Sequence, residues 1–213
     1  FDENTCHKLT KGDWNWETGF SRDQVAEIES IKDHAYRVVY GNWDYLKNRS
    51  EHKAEYSKRR LSWVAHIGGK RESRRLLGDV ILKEQDILNQ TKFPDASITT
   101  TWGIDLHYPI ENNLGVEPYL SRADIKEIEP YEIPYRCLYS RNVNNLFMAG
   151  RNISVTHVAL GTVRVMRTTG MMGEVVGMAA TICVQEDCNP RAVYENHLEV
   201  LKSYMVEGVP TKN

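Results

Sequence analysis

The side chains of this chain best suited to chemistry are histidines and arginines placed near carboxylates. Asp105 and His107 lie two apart at the end of a run, residues 96–106, that is rich in β-branched and aromatic residues and reads as a strand with a bulge at Gly103. Side chains two apart leave the same side of an extended chain, so the carboxylate can orient the imidazole and raise its basicity. That is what a proton-transfer base needs, although a buried hydrogen-bonded pair fits the same spacing. His157 closes a second polar stretch that begins with Arg151 and Asn152 and runs through Ser154 and Thr156. Cations concentrate in KRESRRLLGD, residues 70–79, where Arg71 and Arg74 are candidates to grip an anionic substrate because a guanidinium matches carboxylate and phosphate geometry. A solvated face or an internal salt-bridge cluster is the alternative for such a run. Arg136 is a further anion-binding candidate. Trp14 and Trp16 stand beside Glu17 in WNWETG, so the rings either line a substrate pocket or pack into a core.

The elements around these residues have a readable order. Residues 146–149 form a short apolar run that stops at Gly150, as a buried strand does at a tight turn. The polar loop of Arg151 to His157 follows, and from about Thr162 the pattern becomes helical. Gly170, Gly173 and Gly177 share one face of that helix, and each costs about 1 kcal/mol relative to alanine. Their small size must therefore gain something, such as close approach to a sheet or a flat ligand. The helix start offers free N–H groups and a positive dipole end to an anion or an electron-rich carbonyl.

Residues 144–180 resemble the FAD-dependent oxidoreductases, whose C-terminal segment reads roughly NLLVAGRxIS, a threonine-histidine pair, LGxxRVM and a glycine-spaced helix. The match takes in Asn145, Leu146, Ala149 to Arg151, Ile153, Ser154, Thr156, His157, Leu160, Gly161, Arg164 to Met166, Gly173 and Gly177. KRESRRLLGD is a second strong match, through Arg71 to Arg75, Gly78 and Asp79, and further matches lie in WNWETG, YGNWDYLKN, the Asp-x-His pair and YEIPYRCL. The resemblance implies FAD as cofactor, with the strand ending beside the ribityl and phosphate portion and the helix start aimed at the pyrimidine edge of the isoalloxazine. On that placement Gly150, Arg151, Asn152, Gly161, Thr162, Val163 and Arg164 hold the cofactor. Arg71, Arg74, Trp16 and Arg136 contact a small organic substrate. Its hydride passes to the flavin, and His157 or His107, with Asp105, takes the proton; the loop position favours His157. Arg151 departs from the broader flavoprotein pattern, which has an acid after the glycine, so its partner is phosphate, ribityl or a protein carboxylate.

The GxGxxG turn that holds the ADP half of FAD is absent from these 213 residues. Together with the start at Phe1 and no signal-peptide pattern, this reads as the C-terminal portion of a longer protein, one that binds FAD weakly or not at all without its missing N-terminal part. The expected fold class is α+β, a mixed sheet with flanking helices. It would comprise an incomplete Rossmann-like FAD domain and part of a substrate domain, divided as 1–140, 141–187 and 188–213. The expected elements are a helix from Ser21, capped with Gln24, to about Lys47; a strand at 61–67; a strand passing into a helical turn at Glu84; an extended 131–138; and a last helix from Pro190 to Gly208.

Composition is globular, 41% hydrophobic and 26% charged, and a net charge of −2 without a one-sign tail gives nucleic acid or a membrane surface no electrostatic hold. The longest apolar run is too short to span a bilayer. Cys6, Cys137, Cys183 and Cys188 lack CxxC spacing, which argues against zinc, and they read as packing thiols. A reading from a different class is a non-catalytic module without cofactor that self-associates into a homo-oligomer through the glycine face. Cell compartment is not legible.

Overall fold

A computed structural model describes residues 1–8, 16–112 and 115–210. Trp14 lies outside the described residues. The chain divides into two units, one made of Phe1–Ser73 and His107–Ala123, the other of Arg74–Leu106 and Asp124–Asn213. Two of the passages between them fall inside strands β2 (Ile104–Pro109) and β3 (Ser121–Lys126), which pair with each other.

In the first unit the main element is α1 (Ile28–Asp44), which runs on into a π turn over Tyr45–Arg49. The turn that leads into it is tied by Asp23, not by Ser21. The Asp23 carboxylate accepts from Val25 N and Ala26 N at 2.8 and 3.1 Å, while Glu27 accepts from Asp23 N at 2.9 Å, so the backbone donors before the helix are satisfied reciprocally. Ile31, Val38, Asn42 and Leu46 form the buried stripe at helical spacing. Asn42 is buried at no apparent cost because its amide pairs with both His7 N, at 2.8 Å, and His7 O, at 3.0 Å. A four-residue helix, α2 (Lys53–Tyr56), follows. The strand expected at 61–67 does not form. Trp63 and Ile67 are each 73% exposed, and the segment has no ladder partner among the described residues, without which a strand is not stable in water.

The second unit holds the larger core, with Leu82, Ile98, Ile133, Leu160, Ala179 and Leu201 among its fully buried members. Strand β1 (Ala96–Thr100) pairs antiparallel with β4 (Tyr131–Pro134), placing Ile98 opposite Ile133 and Thr100 opposite Tyr131. Helix α5 (Met166–Gln185) packs on β1, and α6 (Pro190–Asn196) and α7 (Leu198–Glu207) pack on α5. A short helix, α3 (Glu84–Leu88), follows the Leu82 bridge, as the sequence suggested.

The fold is α+β, but among the described residues the mixed sheet is replaced by two separate two-stranded sheets, and parallel pairing there is confined to the isolated bridge Leu82–Val155. Residues 146–149 contribute one antiparallel bridge, Tyr139–Phe147, flanked by Met148 N donating to Leu138 O at 2.7 Å. The expected strand over 96–106 is cut into β1 and β2 around Gly103, where a Cβ would lie 3.0 Å from Lys126 O. The last helix is cut at His197, whose φ of −130° and ψ of 20° leave the helical region. Its beginning is as expected, with Asn189 accepting from Ala192 N at 3.0 Å and Pro190 at the first position.

The helix expected from about Thr162 is two helices. α4 (His157–Val163) ends at Arg164, Val165 is extended with φ −77° and ψ 151°, and α5 starts afresh at Met166. Of the close approaches the glycine spacing suggested, one to a sheet of the described chain does not occur. An added Cβ at Gly170, Gly173 or Gly177 would meet nothing within 4 Å, and all three are exposed, so no described part of this chain packs closely there. Close approach is needed instead at Gly161 and Gly78. All four cysteines are free thiols. Among the described residues no helix is long and apolar enough to cross a membrane.

Candidate functional site

The expected site residues fall into separate clusters, each within one unit. In the first unit Glu17, Arg71 and His107 meet. Glu17 Oε1 lies 2.6 Å from Arg71 Nη1 and 2.6 Å from His107 Nδ1, and Arg71 Nη1 is 3.2 Å from the same His107 nitrogen. Their side chains keep only 15%, 25% and 21% of their exposure, so the charges interact in a partly desolvated place where pairing is stronger than on open surface. The backbone sets Glu17 in position. Glu17 N donates to Tyr119 O at 3.2 Å, and the next residues are tied down by Glu117, which accepts from Thr18 Oγ1 at 3.0 Å and Gly19 N at 3.2 Å. Trp16 turns away into a ring cluster with Phe1 and His7, with centroids 6.3 and 5.7 Å off, and its buried Nε1 has no partner among the described residues.

In the second unit Asp105 meets Arg164. Arg164 Nη2 donates to Asp105 Oδ2 and to Asp105 O, both at 3.0 Å. Gly161 brings α4 against the same strand, since a Cβ there would lie 2.9 Å from Asp105 O and 3.2 Å from Leu106 Cδ2. Thr162 and Val163 are fully buried, and the Thr162 hydroxyl donates to Trp102 O while accepting from Tyr131 Oη at 3.2 Å. Thus Gly161, Thr162 and Val163 lie inside α4 and not at a helix start. The carboxylate found on His107 Nδ1 is Glu17, ninety residues away in sequence, a partner that spacing offered no means of finding.

The other expected residues are placed as follows. Arg136 donates through Nε and Nη2 to the fully buried Asp95 carboxylate at 2.9 and 2.8 Å, and its guanidinium lies 4.6 Å from the centroid of the Tyr194 ring. The Asp95 hydrogen bonds raise its pKa further above the ordinary arginine value. Its geometry is that of a structural clamp. Arg74 is exposed, Arg151 and Asn152 are exposed on the loop between Gly150 and α4, and His157 is exposed at the first position of α4. Gly150 has φ +123°, a conformation that L side chains rarely adopt, so the turn requires glycine. Behind that loop Ser154 is fully buried, and its Oγ has no hydrogen-bond partner among the described residues.

A family model described as FAD dependent oxidoreductase matches residues 3–204. The chain belongs to that family. No curated protein and no solved structure matches it. FAD is therefore the cofactor that family membership implies, and the second unit offers features that fit part of it. Helix α5 opens with no side-chain cap and no acid in its first turn, and Met166 at its start is 90% exposed. Such a start presents unpaired N–H groups and a positive dipole end, suited to an electron-rich ring edge. No group of three or more metal-ligating side chains occurs among the described residues.

Proposed function

We infer that this member of the FAD dependent oxidoreductase family contributes the flavin edge and the substrate side of an enzyme in which a small organic substrate gives up a hydride. A bound flavin supplies the two-electron acceptor. The observation that carries this reading is the second helix start. The N–H groups of the first turn of α5 lie ahead of Thr169 N, the first to find a carbonyl in this stretch, at Val165 O and 3.0 Å. Those N–H groups and the dipole stabilise negative charge on a ring edge by up to ~2 kcal/mol, about 40 mV for a two-electron couple. Residues 165–168 thereby take the role the sequence gave to Gly161, Thr162 and Val163. Gly150, Arg151 and Asn152 line the approach to α4, with Arg151 offering its guanidinium to a phosphate or ribityl oxygen.

His107 is the better supported proton acceptor, because a carboxylate already meets its ring, whereas His157 is an exposed residue at the start of α4. Arg71, beside it, is suited to an anionic group of the substrate. No GxGxxG turn occurs in the 213 residues, so the ADP half of FAD falls to chain outside them. This chain alone then binds FAD weakly or not at all, and submicromolar binding in a flavin-fluorescence titration refutes that division. The placement of the ring edge is tested in the flavin-loaded intact enzyme by Met166→Glu, which sets a carboxylate in the first turn of α5. The expected result is a lower flavin midpoint potential, by up to about 40 mV; an unchanged potential overturns the placement.

The exposed face of α5 supports a second reading. Gly170, Gly173 and Gly177 lie open with Met166 and Val184, which are 90% and 84% exposed, as a self-associating surface would. Light scattering that shows only monomer at high concentration eliminates it.

A further inference from the structure

The Glu17–Arg71–His107 cluster contains a choice that its distances resolve. A guanidinium has only donors and a carboxylate only acceptors, so His107 Nδ1 cannot serve both neighbours in one tautomer. To accept from Arg71 Nη1, 3.2 Å away, it would need a lone pair; to meet Glu17 Oε1, 2.6 Å away, it must carry the proton. The shorter contact is the charge-assisted one. Arg71 Nη1 already has a better acceptor in the same Oε1 at 2.6 Å, so one oxygen accepts from both groups.

We propose that Glu17 is a positioning residue for His107: it holds the imidazole in the Nδ1–H tautomer, so that Nε2 is the nitrogen with the lone pair and takes the substrate proton. Arg71 balances the Glu17 charge and fixes which oxygen faces the ring. The assignment rests on reading His107 as the proton acceptor. It goes further in naming the nitrogen and the group that selects it. Glu17 can do this because its backbone is pinned at Tyr119 and its neighbours at Glu117, while β2 fixes the backbone of His107. A ring held at Nδ1 by a partner whose own backbone is pinned loses little orientation when a substrate arrives.

The test is nitrogen-15 NMR of the histidine side chains, with the His107 signals assigned by their loss in His107→Gln. The neutral ring of His107 in the unaltered chain is expected as the Nδ1–H tautomer. In Glu17→Ala the carboxylate that takes the Nδ1 proton is gone while the Arg71 donor remains 3.2 Å from that nitrogen, and the ring is expected to change to Nε2–H. Glu17→Gln keeps an oxygen acceptor in place and is expected to restore Nδ1–H, which keeps the test usable if the alanine variant does not fold. An Nε2–H ring in the unaltered chain, an unchanged ring in Glu17→Ala, or a folded Glu17→Gln protein without Nδ1–H each overturns the proposal. In flavin-loaded enzyme, Glu17→Ala is further expected to lower kcat at least ~10-fold with KM nearly unchanged. If His107→Gln leaves kcat untouched while the tautomer results hold, the base assignment fails and the positioning by Glu17 stands.

Discussion

Replacing the three exposed glycines of α5 by alanine should stabilise this chain, and the size of the effect can be worked from the space around them. Gly170, Gly173 and Gly177 all lie inside α5, which runs from Met166 to Gln185, and a Cβ at any of them meets nothing within 4 Å. Nothing offsets the ordinary helix preference for alanine, about 0.8–1 kcal/mol per site, so the triple variant gains roughly 2.5–3 kcal/mol. For a chain of this size about 1 kcal/mol moves the unfolding midpoint by ~2–4 °C, which puts the rise at roughly 5–12 °C. Gly161→Ala provides the opposite control. It is also helical, but its Cβ would press on Asp105 O at 2.9 Å and Asp105 N at 3.2 Å, and backbone cannot give way as a flexible side chain can. Overpacking of about 1–3 kcal/mol then outweighs the helix gain, and the midpoint falls. Circular dichroism melts of the four single variants and the triple read all of this directly. If the α5 variants lower the midpoint as Gly161→Ala does, that face is packed in solution and the reasoning from open space is wrong.

Two further perturbations follow from ion pairs in the second unit. Arg136→Met strands the fully buried Asp95 carboxylate and should cost about 3 kcal/mol in a urea titration, while adding Asp95→Leu to it should recover part of that loss, because no unpaired charge is left. Asp79 accepts from Arg191 at 2.7 and 2.6 Å and from Tyr139 at 2.7 Å, and these bonds, Arg191 first, hold its carboxyl below the ordinary 3.8. A depressed folded-state pKa gives stability that is present above the ordinary value and lost as pH falls through the folded one. Asp79→Asn should therefore lower the midpoint by about 2 °C near neutrality and by less as the pH drops below 3.8, a modest effect because the pair is partly exposed.

What the sequence disclosed depended on the range of the interaction. Local signals were legible: the helix that α1 forms, the Pro190 helix start, the Gly208 stop and the turn at Gly150 each depend on neighbours within a few residues. Residues 61–67 alternate as a strand does, but alternation states only which side a residue would face and supplies no partner to pair with. The site was half legible for the same reason. His107, Arg71 and Glu17 were each marked out by type, yet their meeting depends on backbone pairing of Glu17 with Tyr119, which no spacing encodes. Asp105 was marked as a partner for His107 because it was near in sequence, and the structure gives it Arg164.

The break between α4 and α5 shows how one ion pair shapes the candidate flavin edge. Had the helix continued through Arg164 and Val165, the N–H groups of Met166 to Thr168 would have been bonded to carbonyls one turn back and could offer nothing to a ligand. Instead Gly161 seats α4 on the backbone of Asp105, and three residues on Arg164 closes onto that same residue through its carbonyl and its carboxylate. The chain leaves the helical region at Val165 and begins a second helix with its first-turn donors unspent. Gly161 and Arg164 thus act on the proposed flavin edge from behind, by deciding where α5 starts. A bulkier residue at 161 or a neutral one at 164 should disturb cofactor binding without touching the ring.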